Sequence, residues 1–317
     1  MTTLTRLDRE RILRTLTFWL RPAFVLRTLN RFQRIAGFDR AIALASSAFT
    51  ALVPLAIVAS AILPRVDASK AAQTIINRYG LTGAGAKAVR DVLSPAAGAG
   101  ADVSVLGGVL LVIAVLSFSR GMQRLFEQTW ELKPLSVRNT LNDLAWIGGL
   151  ACYIAVSWWI HALIDHGRLQ IATNLVLLPA SAIFLAWSGW VLSARRVERG
   201  RVAPFAILGA ALLAIYQTGA AVYLPHVFSS YASRYGVIGA VLAMISALFG
   251  MMVVLVASAA VGEEVFEELG RIRRGERPPA DEVRREWDAL LDGGRSRWDT
   301  LRKQIDRRRA KSSRNDR

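Results

Sequence analysis

The fold is decided most clearly by residues 236–262, which read GVIGAVLAMISALFGMMVVLVASAAVG. This stretch contains no Asp, Glu, Lys or Arg. Lipid offers no hydrogen-bond partner to backbone N–H and C=O groups, so a chain crosses the hydrocarbon as a helix of about 20 mostly apolar residues that satisfies those groups internally. The stretch therefore predicts a membrane-spanning helix.

Five further stretches share this composition. With the first, they predict six spans, at about 41–64, 103–119, 144–164, 169–194, 204–224 and 236–262. The second is the shortest, so we expect Arg120 and Arg124 to extend toward the headgroups, or the helix to stand nearly upright. The chain, 53% hydrophobic and 20% charged, thus predicts an all-α fold, a polytopic membrane protein built as a six-transmembrane-helix bundle.

The distribution of Lys and Arg predicts the orientation of this bundle. The segments before span one, between spans two and three, between four and five, and after six carry 33 of the 40 Lys and Arg residues, and the alternate segments carry 7. Short cytoplasmic segments retain positive charge during insertion. We therefore expect a multi-pass protein of the bacterial inner membrane with both termini in the cytoplasm.

Three segments lie outside the spans of the transmembrane domain at 41–262. Residues 1–40 mix apolar side chains with arginines, which predicts amphipathic interfacial helices at the cytoplasmic face, interrupted at Pro22. The alternative is a soluble helix pair packed on the bundle. Residues 65–102 predict an outer segment with two short amphipathic helices, and residues 263–317 predict a charged cytoplasmic tail.

The net charge of +16 does not require nucleic acid as a partner. Most basic residues lie beside predicted spans, where membrane topology and anionic headgroups account for them. We therefore expect membrane lipids as partners, including anionic headgroups at the cytoplasmic face, and no nucleic acid. The composition leaves a homo-oligomer open.

Residue types that carry metal or redox chemistry are scarce. One cysteine, Cys152, lies inside a predicted span, and the only histidines are His161, His166 and His226. The sequence has neither a cluster of Cys and His ligands nor a Gly-rich phosphate loop. No metal, cofactor or catalytic residue is therefore predicted, and the chain is not expected to be an enzyme.

Polar residues inside or at the ends of the spans are candidates for a substrate pathway or for contacts between helices, because burying them in lipid is costly. The candidates are Ser47, Thr50, Pro54, Glu127, Asn142, Asp143, Gln217 and Glu263. For Ser47 and Thr50, close helix packing is the alternative to substrate contact. Pro54 is expected to bend or break its helix, which can expose carbonyl groups to a cavity.

Three of these expectations are specific. Gln217 lies near the middle of the fifth apolar stretch, so its amide is expected to bond to another span or to a substrate. Asp143 is expected to form an interfacial ion pair with Arg138 or Arg120. The acidic residues at the inner ends of the spans either ring a cytoplasmic vestibule or are solvated charges at helix ends.

Three stretches together resemble the YihY/BrkB family, inner-membrane proteins once labelled ribonuclease BN. They are ASSAFTALVPL at 45–55, SFSRGMQRLFEQTW at 117–130 and YGVIGAVLAMISALFGMMVVLVASAAVGEEV at 235–265. The resemblance covers roughly Phe38 to Glu268. Glu127 stands where the family often has Asn, and the family's usual Gly-Ala-Glu exit is only approximated by Gly262 and the two glutamates after it.

The resemblance implies six spans, cytoplasmic termini and a helical bundle. A metal-dependent ribonuclease would need clustered His and carboxylate ligands, and the sequence has no such cluster, so nuclease activity is not expected. We expect instead a transporter or flippase of a lipid-like or small amphipathic substrate. The alternative is a non-catalytic membrane scaffold of an envelope complex.

Overall fold

The structure is a computed structural model that describes residues 13–15, 17–62, 101–134, 140–164, 170–276, 279, 281–292 and 295, with six isolated positions between 73 and 90. Every regular element in these residues is a helix, which confirms the predicted all-α class. In chain order they are a 3-10 turn at Phe18–Leu20, α1 (Pro22–Arg34), α2 (Gly37–Ile62), α3 (Ala101–Thr129), α4 (Thr140–Ile164), α5 (Gln170–Leu192), α6 (Arg199–Arg273) and a helical stretch at 282–292.

The chain divides into two compact units. One comprises residues 1–36 and 264–317, and the other comprises residues 37–263. We call them the terminal unit and the helical bundle. The bundle contains α2 to α5 and most of α6, and the terminal unit contains α1 and the last part of α6.

Two prolines have different effects on their helices. α1 begins at Pro22, where the missing backbone N–H costs no helical hydrogen bond, so the predicted interruption coincides with the start of a helix. α2, in contrast, continues through Pro54 to Ile62. Pro54 therefore does not end the helix.

The longest helix, α6, is a hairpin of two antiparallel arms, Arg199–Gly236 and Val241–Arg273. The chain turns at Gly236, whose φ of 60° and ψ of −135° favour a residue without a side chain. Three other glycines bring the arms together along their length. The facing pairs are Gly262 with Phe205, Gly209 with Ser258, and Gly250 with Tyr216.

The remaining bundle helices pack as sequence neighbours. α2 packs chiefly on α3, and α4 on α5. Gly149 of α4 lies so close to Trp187 of α5 that an added Cβ would sit 2.1 Å from the indole ring. Gly189 of α5 likewise lies against Val202 of α6. Small residues thus let neighbouring helices approach closely, as is common in membrane bundles.

The predicted outer segment at 65–102 lies mostly outside the described residues. Two of its described positions, Ile76 and Ala86, are helical and buried. They pack in one apolar cluster with Leu224, Phe228 and Ala243 of α6. The segment therefore contributes to the hydrophobic packing beside the turn of the α6 hairpin.

Three helical segments are long and apolar enough to cross a membrane: Val105–Thr129, Arg199–Gly236 and Val241–Arg273. A fourth is reached if α1 and the first part of α2 form one broken span. This count of three to four covers the described residues, and the six predicted spans stay a prediction. The length and composition of these helices identify an integral membrane protein.

Candidate functional site

The last turns of α3 carry two polar stripes at a spacing of four residues. Ser119, Gln123 and Glu127 are buried, and the neighbouring Arg120 and Arg124 are exposed. Residues four apart lie on one helix face, so the first stripe is directed into the bundle and the second away from it. The predicted short second span therefore belongs to a helix that continues to Thr129 and carries buried polar groups.

The carboxylate of Asp143 accepts a hydrogen bond from this stripe. Ser119 Oγ donates to Asp143 Oδ1 at 2.8 Å, and Asp143 is buried in the first turn of α4. A carboxylate there is also favoured by the partial positive charge of the helix N-terminus. Arg138, one of the two arginines expected to pair with Asp143, lies outside the described residues, so the interfacial ion pair stays a prediction.

Glu127 links α3 to the connection between α5 and α6. Gln123 Nε2 donates to its Oε1 at 2.8 Å, and Arg196 Nη2 lies 3.5 Å from the same oxygen. Arg196 also donates to the backbone carbonyls of Lys133 and Ser193, at 2.7 and 3.0 Å. The guanidinium thus holds the chain after α3 beside the chain after α5.

Glu263 joins the two arms of α6. Arg201 donates to Glu263 Oε1 from Nε at 2.8 Å and from Nη2 at 2.5 Å. The Glu263 side chain is fully buried, whereas the Arg201 side chain is 31% exposed. The pair therefore has its carboxylate in the protein interior and its cation at the surface.

An aromatic cluster lies beside these two ion pairs. Phe126 stacks on Trp130 at 4.9 Å, and Phe205 meets Phe126 edge-on at 5.2 Å. A Cβ added to Gly262 would lie 2.5 Å from Phe205 Cα. Because Phe126 precedes Glu127 and Gly262 precedes Glu263, the aromatic cluster brings both carboxylates to the same end of the bundle.

We call this region the charged end of the bundle. It is defined by Ser119, Gln123, Glu127, Asp143, Arg196, Arg201 and Glu263. Within the described residues its bonds link α3 to α4, α3 to the connection between α5 and α6, and the two arms of α6 to each other. Of the eight residues singled out from the sequence, it contains Glu127, Asp143 and Glu263.

The predicted polar residues of span one do not join this network. Ser47 Oγ donates to the Leu44 carbonyl at 3.0 Å, and Thr50 Oγ1 donates to the Ser46 carbonyl at 2.8 Å. Both bonds are internal to α2. Whether these two hydroxyls serve helix packing or substrate contact stays a prediction.

The other predicted residues have separate positions. Asn142 is half-buried at the start of α4. Gln217 is also half-buried, and its amide has no recorded hydrogen bond within the described part of the chain. The bond across the hairpin at this level comes from its neighbour, since Tyr216 Oη donates to the Ala247 carbonyl at 2.6 Å. Gln217 as a functional contact stays a prediction.

Sequence reasoning singled out the acidic residues Glu127 and Glu263 but missed the arginines that pair with them. Arg196 and Arg201 served only as topology signals, although each pairs with a predicted carboxylate. Two further contacts between α4 and α5 were missed, those of Trp146 Nε1 with Ser188 Oγ at 3.0 Å and of Tyr153 with Ser181 at 2.8 Å. Charge placement marks the membrane face, but the pairing depends on helix rotation, which no single-sequence pattern supplies.

The terminal unit contains a second charged cluster. Arg27 donates to Glu264 at 2.5 Å and to Glu268 at 2.8 Å, and it also bonds Glu282. Arg31 donates to Glu267 at 2.6 Å. Burial lowers the pKa of Arg27, but the surrounding glutamates raise it by more, so it stands above its ordinary value.

Helix α1 buries charged side chains and exposes apolar ones, the reverse of a helix in a soluble protein. Its buried face carries Arg27 and Arg31, whereas Leu20, Val25 and Leu29 near or on the helix are exposed. The charged side is directed into the terminal unit because the glutamates lie there. The exposed apolar side is of the kind that an interfacial helix presents to lipid.

The described residues offer no group of three or more His, Cys, Asp and Glu side chains that could hold a metal ion. Comparison with protein-family models matches residues 28–281, most of the chain, to the family described as Virulence factor BrkB. No curated protein matches the chain. No solved structure matches it either.

Proposed function

The chain belongs to the BrkB virulence factor family, and we propose that it is an inner-membrane transporter or flippase of a lipid-like or small amphipathic substrate. The single observation that carries the proposal is the charged end. Ionisable side chains inside membrane bundles are costly, and they commonly mark the pathways of substrates or ions.

The proposal includes six spans with both termini in the cytoplasm. Helices α2 to α5 contain 26, 29, 25 and 23 residues, each enough to span about 30 Å of hydrocarbon. The two arms of α6 supply the fifth and sixth spans. The excess of Lys and Arg in alternate segments supports cytoplasmic termini, and the exposed apolar side of α1 supports its position in the interface.

The ion pairs of the charged end are suited to act as a gate. Arg196 and Arg201 have side chains that are 30% and 31% exposed, and their partners Glu127 and Glu263 are buried. An anionic headgroup arriving from water competes for the guanidinium groups. Each buried carboxylate then loses its cation, which is unfavourable, so binding at the surface is coupled to rearrangement or protonation inside.

A vesicle assay tests this function. Purified protein is reconstituted in vesicles of phosphatidylethanolamine and phosphatidylglycerol that contain a trace of headgroup-labelled phospholipid, and dithionite quenches the label of the outer leaflet. A transporter of this class exposes the inner-leaflet label faster than protein-free vesicles do. A rate no higher than that of protein-free vesicles, found for several headgroups and for a soluble amphipathic dye, would refute translocation.

The competing proposal, a membrane scaffold, is supported by a different observation. The hydroxyls of Ser47 and Thr50 donate to carbonyls of their own helix, as hydroxyls that serve close helix packing commonly do. A scaffold would show no translocation in vesicles, but deleting residues 282–317 would remove envelope proteins that otherwise co-purify with the chain. Translocation without any loss of co-purifying proteins would exclude the scaffold.

A further inference from the structure

Two arginines of the α5–α6 connection meet on one aromatic ring. The guanidinium carbon of Arg195 lies 4.9 Å from the ring centroid of Trp190, and that of Arg199 lies 5.0 Å from it. Cations are attracted to the face of an indole ring. The ring therefore holds two positive charges near each other at the surface.

The backbone of the connection produces this convergence. Ala194 and Arg195 have φ of 54° and 60°, in the left-handed region that side chains rarely adopt. The N–H of Arg195 donates to the Trp190 carbonyl at 2.9 Å, which turns the chain back over the ring. Val197 is buried, so the connection is anchored between the two arginines.

The two arginines differ from the neighbouring gate arginines in their partners. Arg196 and Arg201 pair with carboxylates, whereas the structure gives Arg195 and Arg199 no ion pair within the part of the chain that it describes. Glu198, between them in sequence, is exposed and likewise has no recorded ion pair there. Two like charges on one ring, with one exposed carboxylate beside them in sequence, leave a net positive site.

A second feature adds to the positive potential. Arg199 is the first residue of α6. The N-terminus of a helix carries partial positive charge and binds phosphate groups readily. The site therefore combines two guanidinium groups, a helix N-terminus and a tryptophan, the residue type enriched where membranes meet water.

We propose that Trp190, Arg195 and Arg199 form a binding site for a phosphate-bearing anion, and that its ligand is the phosphodiester headgroup of an anionic phospholipid. Guanidinium groups bind phosphate oxygens through paired hydrogen bonds. The indole holds the guanidinium planes in place before the ligand arrives. The lipid source rests on the proposed placement of this end at the membrane surface, whereas the phosphate site does not rest on translocation.

Lipid binding to the purified full chain in neutral detergent tests the site. The probes are dioctanoyl phosphatidylglycerol, zwitterionic dioctanoyl phosphatidylcholine and inorganic phosphate, and native mass spectrometry measures the bound fraction of each. Arg195→Gln/Arg199→Gln removes the site. Arg273→Gln/Arg284→Gln is the matched control, because it removes the same charge from two exposed arginines of the terminal unit.

The wild type and the control are expected to bind phosphatidylglycerol alike, and the site variant at least about tenfold more weakly, because hydrogen bonds to charged groups are lost. Arg195→Lys/Arg199→Lys retains the charge but not the paired guanidinium donors, and should bind more weakly than the wild type. Competition by equimolar inorganic phosphate would identify free phosphate as the ligand. Absence of competition by inorganic phosphate would identify the lipid headgroup as the ligand.

Equal phosphatidylglycerol binding by the wild type and the Gln variant would overturn the site. So would an equal loss in the control, which would show a response to net charge alone. Full binding by the Lys variant would overturn the role of paired guanidinium hydrogen bonds. Since binding is measured without vesicles, its failure leaves the translocation result untouched, and a failure of translocation leaves the binding result untouched.

Discussion

Arg201 donates two hydrogen bonds to one oxygen of Glu263, at 2.8 and 2.5 Å, and thereby joins the two arms of the α6 hairpin. Sixty-two residues separate the partners in sequence. Breaking such a pair leaves a buried carboxylate without its cation, whereas replacing both groups by apolar ones is often tolerated.

The first prediction follows from this asymmetry. Arg201→Ala should lower the free energy of unfolding by at least about 2 kcal/mol, since Glu263 is fully buried. Arg201→Met/Glu263→Leu should recover most of the loss. Denaturant titration of the nine tryptophans' fluorescence measures both. A double variant less stable than the single one would contradict the pairing.

The second prediction concerns the contact of the two arms. Gly262→Ala places a Cβ 2.5 Å from the Phe205 Cα, and backbone atoms cannot move aside as a side chain can. The substitution should cost about 1–3 kcal/mol. Gly219→Ala, where nothing lies within 4 Å, is the control and should be neutral or stabilise by up to about 1 kcal/mol. Equal thermal stability of the two variants would argue against the close approach.

The third prediction concerns the terminal unit. Arg27→Gln removes the guanidinium shared by Glu264, Glu268 and Glu282. Hydrogen exchange at residues 282–292 should accelerate at least about tenfold, equivalent to roughly 1.4 kcal/mol. The control, Arg285→Gln, breaks a mostly exposed pair and should have little effect. Unchanged protection in Arg27→Gln would show that the cluster does not stabilise this unit.

The fourth prediction is the topology. In a Cys152→Ser background, a cysteine at Ser94 should react with an impermeant maleimide in intact cells, and a cysteine at Ser296 only after lysis. The reason for this expectation is that the segments predicted to be cytoplasmic carry 33 Lys and Arg residues and the outer segments carry 7. Labelling of Ser296→Cys before lysis would reverse the proposed orientation.

Sequence alone identified the membrane class, the family and the all-α fold, because apolar length and charge placement are local patterns. It also singled out Glu127, Asp143 and Glu263 as polar candidates at the inner ends of the spans, without deciding whether they are buried or solvated. It did not identify Ser119 as the partner of Asp143, nor Tyr216 as the residue that bonds across the hairpin. Those contacts depend on the rotation and register of packed helices, which hydrophobicity does not determine.

The arginine cluster of α1 shows the same limit. Alternating arginines and apolar residues predicted an amphipathic interfacial helix, with a packed soluble helix pair as the alternative, and named no partner for the arginines. Arg27 and Arg31 are buried, and glutamates distant in sequence lie opposite them. A pattern within one helix cannot reveal a partner more than two hundred residues away.

The most direct test of the proposed function is the translocation rate of headgroup-labelled phospholipid in vesicles that contain the wild type, Glu127→Gln, Glu263→Gln or the control Arg285→Gln at equal density. The gate predicts a wild-type rate above that of protein-free vesicles and an unchanged control. It predicts a change of about tenfold or more in both glutamate variants at unchanged melting temperature, since neutral Gln no longer holds the guanidinium as a charged pair. Glutamate variants that translocate lipid at the wild-type rate, or a wild type no faster than protein-free vesicles, would contradict it.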